Sequence, residues 1–162
     1  MPVDFLEVER QLVAKQVLDA LYAMPGIDVV PARAEQFLSK IPYEFKFLSK
    51  GKSRYVYAIN VPQVIGIGLV LKLGGKHQNN LEVENTKKFP GDFPRIYGAF
   101  DYAIVAEQAE MIDPVDDPRM KQDGMSERLS LLKKRYGDVG SNIGFIGDRM
   151  VMVDGGVPVR GN

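Results

Sequence analysis

Two short apolar runs, residues 143–146 and 150–153, are the feature that most constrains the fold. Gly147 and Asp148 lie between these runs, and both residue types tolerate the positive φ that a tight turn requires. The pattern predicts a β-hairpin. Any fold for this chain must therefore place two antiparallel strands after the last predicted helix.

Two oxygen-bearing side chains flank the predicted hairpin. Asn142 comes directly before it, and Asp154 comes directly after it and is followed by two glycines. Mg²⁺ is a hard cation that proteins usually hold with one or two carboxylates together with phosphate oxygens. Asn142 and Asp154 are therefore candidate Mg²⁺ ligands. Asn and Asp beside Gly are also ordinary turn residues, and the stretch taken alone favours a plain hairpin over a metal site.

The N-terminal part of the sequence predicts two helices. Residues 3–24 carry apolar side chains near helical spacing, with Asp4 as the N-cap and Pro25 and Gly26 at the end. Residues 31–38 predict a short second helix. We expect both helices to serve as scaffold, and a helix at a chain terminus also offers a surface for a second copy or a protein partner.

From residue 42 the pattern changes to strands. Residues 45–47 and 55–59 are rich in β-formers and are separated by a polar turn at 50–54, and residues 68–73 predict a third strand. Lys72 stands out as a cation on this apolar strand. Its side chain either has a function there or extends to the surface from an edge strand.

The remaining sequence predicts a helix at 78–87, a hairpin leading to residues 102–107, a loop at 111–123 and a helix at 126–136. The basic residues 133–135 suit the solvated C-terminal end of this helix.

Composition excludes several classes of function. The 162 residues are 45% apolar and 26% charged with zero formal net charge, which predicts one globular domain and argues against nucleic acid as a partner. The absence of cysteine excludes disulfides and zinc-thiolate sites, and one histidine cannot form a His cluster. The longest apolar run, residues 64–71, is too short to cross a membrane and no signal peptide is evident. We therefore expect a cytoplasmic protein without membrane contact.

Taken in order, these features resemble the protein-kinase-like superfamily over residues 47–156. The residues that carry the resemblance are Gly51, Lys52, Ser53, Arg54, Val70, Leu71, Lys72, Glu82, Ile104, Val105, Ala106, Glu107, Asp138, Asn142, Asp154 and Gly155. The resemblance implies a two-lobed α+β fold with Mg-ATP in the cleft. It implies N-terminal helices (1–41), a small lobe of antiparallel sheet with one helix (42–110) and a reduced large lobe of one helix and a β-hairpin (111–162).

The resemblance also implies roles for the charged residues of the predicted sheet, helix and hairpin. Lys72 would contact the nucleotide phosphates, and Glu82 would hold Lys72 in place, with Glu84 as the alternative partner. Asn142 and Asp154 would bind Mg²⁺.

Further roles fall on the turn, the connector and the loop before the hairpin. Gly51 and Ser53 would lie against the phosphates, Glu107 and Ala109 would belong to the connector that binds the nucleotide base, and Asp138 would be the catalytic base. Only three residues separate Asp138 from Asn142, whereas the kinase catalytic loop has four. Asp138 is therefore either displaced or not the base.

The sequence leaves three functions open. The first is an ATP-dependent phosphotransferase, and the second is a nucleotide-binding pseudokinase. The third is an interaction or inhibitor protein that has kept the fold without the pocket. Asp-Gly-Gly at residues 154–156 replaces the Asp-Phe-Gly of protein kinases, and few residues follow it. With these departures, what the resemblance implies is a minimal, truncated kinase-like protein, and we expect one of bacterial or bacteriophage type.

Overall fold

The computed structural model describes residues 4–24, 34–50, 54–137, 139 and 142–156, and it has an α+β fold of helices and antiparallel sheets. Two compact units are present, namely Met1–Asn79 with Ile96–Gln108, and Asn80–Arg95 with Ala109–Asn162. The elements in order are α1 (Phe5–Tyr22), α2 (Ala34–Leu38), β1 (Glu44–Lys50), β2 (Tyr55–Val61), β3 (Val64–Leu73), α3 (Lys76–Lys88), β4 (Ile96–Phe100), β5 (Ala103–Glu107), β6 (Glu110–Met111), α4 (Met125–Tyr136), β7 (Ile143–Ile146) and β8 (Arg149–Met152).

Helix α1 begins where its capping chemistry predicts. The Asp4 carboxylate accepts a hydrogen bond from the Glu7 N–H at 3.1 Å, which confirms Asp4 as the N-cap. The predicted stop at Pro25 and Gly26 and the first residues of the second predicted helix, 31–33, lie outside the described residues.

The first unit is built on a five-stranded antiparallel sheet in the order β1-β2-β3-β5-β4. β3 is its central strand and starts at Val64, four residues before the predicted strand, because Val64 pairs with Val61 across a tight turn. Alternation along β3 puts Leu69, Leu71 and Leu73 on one face of the sheet.

Helix α1 covers that leucine face. α1 contributes Val13, Ala14, Val17 and Leu21 to the same apolar cluster, and all four are buried. The rest of the buried cluster comes from α2, the following turn and the sheet, namely Phe37, Leu38, Ile41, Tyr57, Ile59, Val61, Ile67, Leu69, Leu71, Leu73, Ala103 and Val105. Burial of aliphatic surface therefore joins α1 to the sheet and stabilises the first unit.

The second unit contains the predicted hairpin. β7 pairs with β8 from Ile143↔Met152 to Ile146↔Arg149, and Gly147 takes a φ of 61° in the turn. The hairpin prediction is therefore confirmed. Its apolar side chains pack with α4 in a buried cluster of Phe93, Leu132, Tyr136, Val139, Ile143, Phe145, Met150 and Met152.

The prediction of a loop without regular structure over residues 111–123 is wrong in two places. Glu110 and Met111 form β6, which pairs with Phe145 and Gly144 of β7, and Pro118–Lys121 form a 3₁₀ helix. β6 was not predicted because it pairs with a strand that is distant in sequence. The 3₁₀ helix forms because the Asp117 carboxylate caps it by accepting a hydrogen bond from the Arg119 N–H. Across the described ranges, none of the helices combines the length and the apolar character needed to cross a membrane.

Candidate functional site

Lys72 lies in the middle of the first unit's sheet and is 4% exposed. Its pairing neighbours are Val56 on β2 and Ile104 on β5. Because side chains alternate along β3, Lys72 lies on the sheet face opposite the leucines that pack on α1. The prediction of a buried position is confirmed, and an edge-strand position is excluded because β3 is central.

The sheet face around Lys72 carries small and aliphatic side chains. Ala58, Val70 and Ala106 occupy the next row across β2, β3 and β5. Val70, Ile104 and Ala106 are buried. This face combines an apolar surface with the buried ammonium group of Lys72, a chemistry that suits a flat apolar ring carrying an anionic group.

Two side chains of α3 hold the backbone of Gly155 in the second unit. The Gly155 N–H donates to Glu82 Oε1 at 3.0 Å, and Asn85 Nδ2 donates to the Gly155 carbonyl at 2.9 Å. Glu82 is 3% exposed and Asn85 is 2% exposed, whereas Glu84 is exposed. Residues three apart share one helix face, which is why Glu82 and Asn85 reach the same peptide segment.

Only glycine fits at position 155. A Cβ there would lie 2.5 Å from Glu82 Cγ and 3.2 Å from Phe93 Cδ1. Both neighbours are buried, so neither can move aside at low cost. The second residue of the Asp-Gly-Gly sequence is thus required by the close approach of α3.

Asn142 and Asp154 are brought together, as the sequence predicted for the two ends of the hairpin. Asn142 Oδ1 accepts the Asp154 N–H at 2.6 Å, and Asn142 Nδ2 donates to the Asp154 carbonyl at 3.1 Å. The Asp154 carboxylate accepts the Gly156 N–H at 2.9 Å. The amide of Asn142 therefore continues the pairing of the hairpin by one residue and fixes the backbone of Asp154.

The donor set around Asp154 fits a magnesium ion in part. A carboxylate and an amide oxygen are hard ligands, and the amide oxygen of Asn142 has a second lone pair beyond the one that Asp154 uses. Across the ranges that the structure describes, no group of three or more His, Cys, Asp or Glu side chains lies together. A metal held here would take its other ligands from water or phosphate oxygens.

The other predicted site residues divide between described and undescribed positions. Gly51, Ser53 and Asp138 lie outside the described residues. Glu107 is half-buried at the end of β5 in the first unit. Ala109 belongs to the second unit, where a Cβ on Gly144 would lie 3.2 Å from its Cβ. Lys72 and Glu82 belong to different units, and their pairing stays a prediction.

A buried polar cluster in the first unit was missed by the sequence reasoning. Arg54, at the start of β2, donates to Asn79 Oδ1 at 3.0 Å, and Asn79 Nδ2 donates to the Asp101 carbonyl at 3.2 Å. Both Arg54 and Asn79 are buried. The cluster fixes the start of β2 and the first turns of α3 against the β4–β5 turn.

Asp92, like Glu82, is a buried acid of the second unit, and the sequence analysis did not predict it. Its carboxylate accepts hydrogen bonds from the Tyr136 hydroxyl at 2.6 Å and from Arg135 at 2.5 Å, and Arg128 pairs with it at 2.9 Å. Burial alone would raise the pKa of Asp92, but these three donors outweigh it and the pKa lies below its usual range. The pKa of Tyr136 is raised by burial and by its hydrogen bond to Asp92.

The structure corrects the prediction that residues 133–135 form a solvated helix end. Arg135 pairs with Asp92, and its guanidinium lies 4.2 Å from the centre of the Phe89 ring. The physical reason is that a 3₁₀ turn at Pro90–Asp92 brings a carboxylate to this end of α4. Lys133 and Lys134 are exposed, as predicted.

No protein-family model matches the chain, and no curated protein is similar to it in sequence. The solved ternary complex of APH(2″)-IIa with streptomycin and ATP, a protein-kinase-like fold, is similar in structure with a TM-score of 0.44 and 11% identity. The similarity covers 79% of this chain and 70% of that one.

Proposed function

We propose that this chain is a kinase-like protein that binds Mg-ATP and transfers a phosphoryl group to an acceptor. The observation that carries the proposal is the placement of Lys72, a buried lysine on the central strand of an antiparallel sheet. A buried ammonium group on a mainly apolar sheet face is a point charge that can bind the oxygens of a phosphate group beside an apolar surface, so this position favours recognition of a nucleotide.

The sheet face around Lys72 supports nucleotide binding. Its neighbours are alanine, valine and isoleucine side chains, which offer a planar base an apolar surface. In this proposal Gly51 and Ser53 lie against the phosphates, and Glu107 and Ala109 belong to the backbone connector that recognises the base. Glu82 would hold Lys72 in the orientation that meets the phosphate oxygens.

The oxygen ligands of the second unit support the metal part of the proposal. Asp154 and Asn142 would hold Mg²⁺, which supplies positive charge to the phosphate oxygens when it is bound. Asp138 would accept the proton of the acceptor hydroxyl as that oxygen forms its bond to the γ-phosphorus and ADP leaves. A general base of this kind contributes about 10²–10⁴-fold to the rate.

A second candidate function is protein binding by a kinase-like protein without turnover. The observation that favours it is an apolar stripe on the outward face of α1. Phe5 is 77% exposed, Val8 is 42% exposed and Leu12 is 50% exposed, and their spacing of three and four residues places them on the side of the helix away from its buried residues. This stripe suits a second copy of the chain or another protein.

Calorimetric titration with ATP, with and without Mg²⁺, tests the first proposal. We expect ATP binding that Mg²⁺ strengthens, and loss of at least tenfold in affinity for Lys72→Ala and Asp154→Ala. Lys15→Ala on α1 and Asp148→Ala in the hairpin turn are matched controls, because both side chains are exposed and Lys15 lies on the helix that covers the opposite face of the sheet. Turnover that survives Asp138→Asn would remove Asp138 from the mechanism.

The same titration, combined with the turnover measurement, separates the two candidate functions. ATP binding without any phosphoryl transfer would favour the pseudokinase, and the absence of heat in all conditions would overturn the nucleotide site. In that case the stripe on α1 becomes the leading candidate, and light scattering of the purified protein would test for a second copy.

A further inference from the structure

Asn85 lies one helical turn after Glu82 on α3. The two side chains bind the two polar backbone groups of a single residue, Gly155. Glu82 accepts from the N–H of Gly155, and Asn85 donates to its carbonyl. We propose that Asn85 is a positioning residue for the Asp154 carboxylate. This inference rests on the proposed function, in which Asp154 is a metal ligand.

One peptide plane links Asn85 to the Asp154 carboxylate. The carbonyl of Gly155 and the N–H of Gly156 belong to the same rigid peptide group and point in opposite directions. Asn85 holds the carbonyl side at 2.9 Å, and the N–H side donates to Asp154 Oδ1 at 2.9 Å. Asn85 thus orients the group that fixes the direction of the Asp154 carboxylate.

The backbone of Val153 and Asp154, which precedes this peptide plane, is held by Asn142 at the start of the hairpin. Asn142 makes two hydrogen bonds with the backbone of Asp154, and the Asn142 carbonyl accepts the Val153 N–H at 3.0 Å. With the backbone of Asp154 fixed in this way, the remaining freedom of its carboxylate is rotation about its own side-chain bonds. The Gly156 N–H restricts that rotation, and it does so only while Asn85 holds the peptide plane.

Loss of the Asn85 donor has a specific expected result. The Gly155 carbonyl would lose a buried partner, and the peptide plane would turn to find another. The Asp154 carboxylate would then sample several orientations and bind a cation less tightly. Residues that orient metal ligands typically contribute about 10–100-fold to metal affinity.

The test compares Asn85→Ala and Asn85→Asp with Asn80→Ala, which alters an exposed residue of the same helix. Asn85→Asp keeps the volume of the side chain and removes the donor, so it separates the hydrogen bond from a packing defect. The measurement is the Mg²⁺ concentration that gives half of the Mg²⁺-dependent gain in ATP affinity, together with the ATP affinity without Mg²⁺. We expect the Mg²⁺ concentration to rise about tenfold in both Asn85 variants and not in Asn80→Ala, with metal-free ATP affinity unchanged.

An unchanged Mg²⁺ requirement in a folded Asn85 variant overturns the proposal, even if the melting temperature falls, because a purely structural residue would behave in that way. If Asn85→Ala fails to fold by circular dichroism, the result for Asn85→Asp decides. Failure of the proposed function itself is seen in the unaltered protein, as ATP binding that does not respond to Mg²⁺. That outcome overturns both proposals, whereas a normal Mg²⁺ response that the variants share overturns only the role of Asn85.

Discussion

Each of the two units is stabilised internally by a different kind of contact. In the first unit α1 lies on a five-stranded sheet through aliphatic side chains, and Leu71 and Val17 at this contact are fully buried. In the second unit a smaller apolar cluster is accompanied by side chains that hold charges and backbone groups in place. Asp92 has three donors around its carboxylate, and Gly155 has partners on both of its backbone groups.

The difference teaches how each unit contributes to the candidate site. Hydrophobic contact is non-directional and scales with buried area, so the first unit can support a broad sheet face around Lys72. Hydrogen bonds to buried groups are directional and costly to break, so the second unit can fix single oxygen atoms such as those of Asp154. We expect substitutions at the contact of α1 with the sheet to change stability in proportion to buried volume, and substitutions around Asp92 and Gly155 to depend on hydrogen-bonding chemistry.

The largest expected effect is that of Leu71→Ala, which removes a fully buried side chain from the central strand. The cavity would lower the free energy of unfolding of the first unit by about 3–5 kcal/mol. Hydrogen exchange of the amides in β2, β3 and β5 measures it locally. Ile65→Ala is the control because Ile65 is 95% exposed. Equal costs for the two variants would contradict the view that buried aliphatic volume stabilises this unit.

Asp92→Asn tests the second unit with a change that preserves shape. Two arginines would lose their carboxylate, and we expect a loss of about 2–3 kcal/mol. This is below the range for fully buried pairs, because the side chains of Arg128 and Arg135 are 23% and 28% exposed. Urea unfolding against Asp148→Asn, an exposed control in the same unit, measures the loss. Matching stabilities for the two variants would refute the importance of the ion pairs.

The effect of Asp92→Asn should also depend on pH. The folded-state pKa of Asp92 is depressed by its three donors, although burial opposes them. A depressed carboxyl pKa adds stability above the unfolded value of about 3.9, and the contribution is lost as the pH falls through the folded value. The difference in unfolding free energy between the unaltered protein and Asp92→Asn should therefore shrink between pH 6 and pH 3. A constant difference would mean that the carboxylate charge is not what stabilises this cluster.

Local chemistry made part of the fold predictable. The hairpin could be predicted because Gly147 and Asp148 specify a tight turn between two apolar runs. The buried position of Lys72 followed from its apolar neighbours on β3. The pairing of Asn142 with Asp154 followed in the same way, because a hairpin returns its two ends to one place.

The rest of the site depends on contacts that leave no periodic signal in the sequence. Asn85 and Gly155 are 70 residues apart, and nothing in the helix pattern distinguishes Asn85 from a solvated asparagine. Asp92 and Arg135 are 43 residues apart, and a basic helix end is usually exposed. β6 escaped prediction for the same reason, since two residues form a strand only when a partner strand is present.

The smallest expected effect comes from Asp19→Asn, which matches Asp92→Asn in chemistry but lies on the surface of α1. Lys15 and Asp19 pair at 2.6 Å with side chains that are 72% and 66% exposed. Water and salt screen such a pair, so the loss should be no more than about 0.5 kcal/mol and should vanish in 1 M salt. Melting temperature in low and high salt measures it, with Asp148→Asn as the exposed control. A cost approaching that of Asp92→Asn would contradict the contrast, because a surface ion pair of the first unit would then contribute as much as the buried pairs of the second.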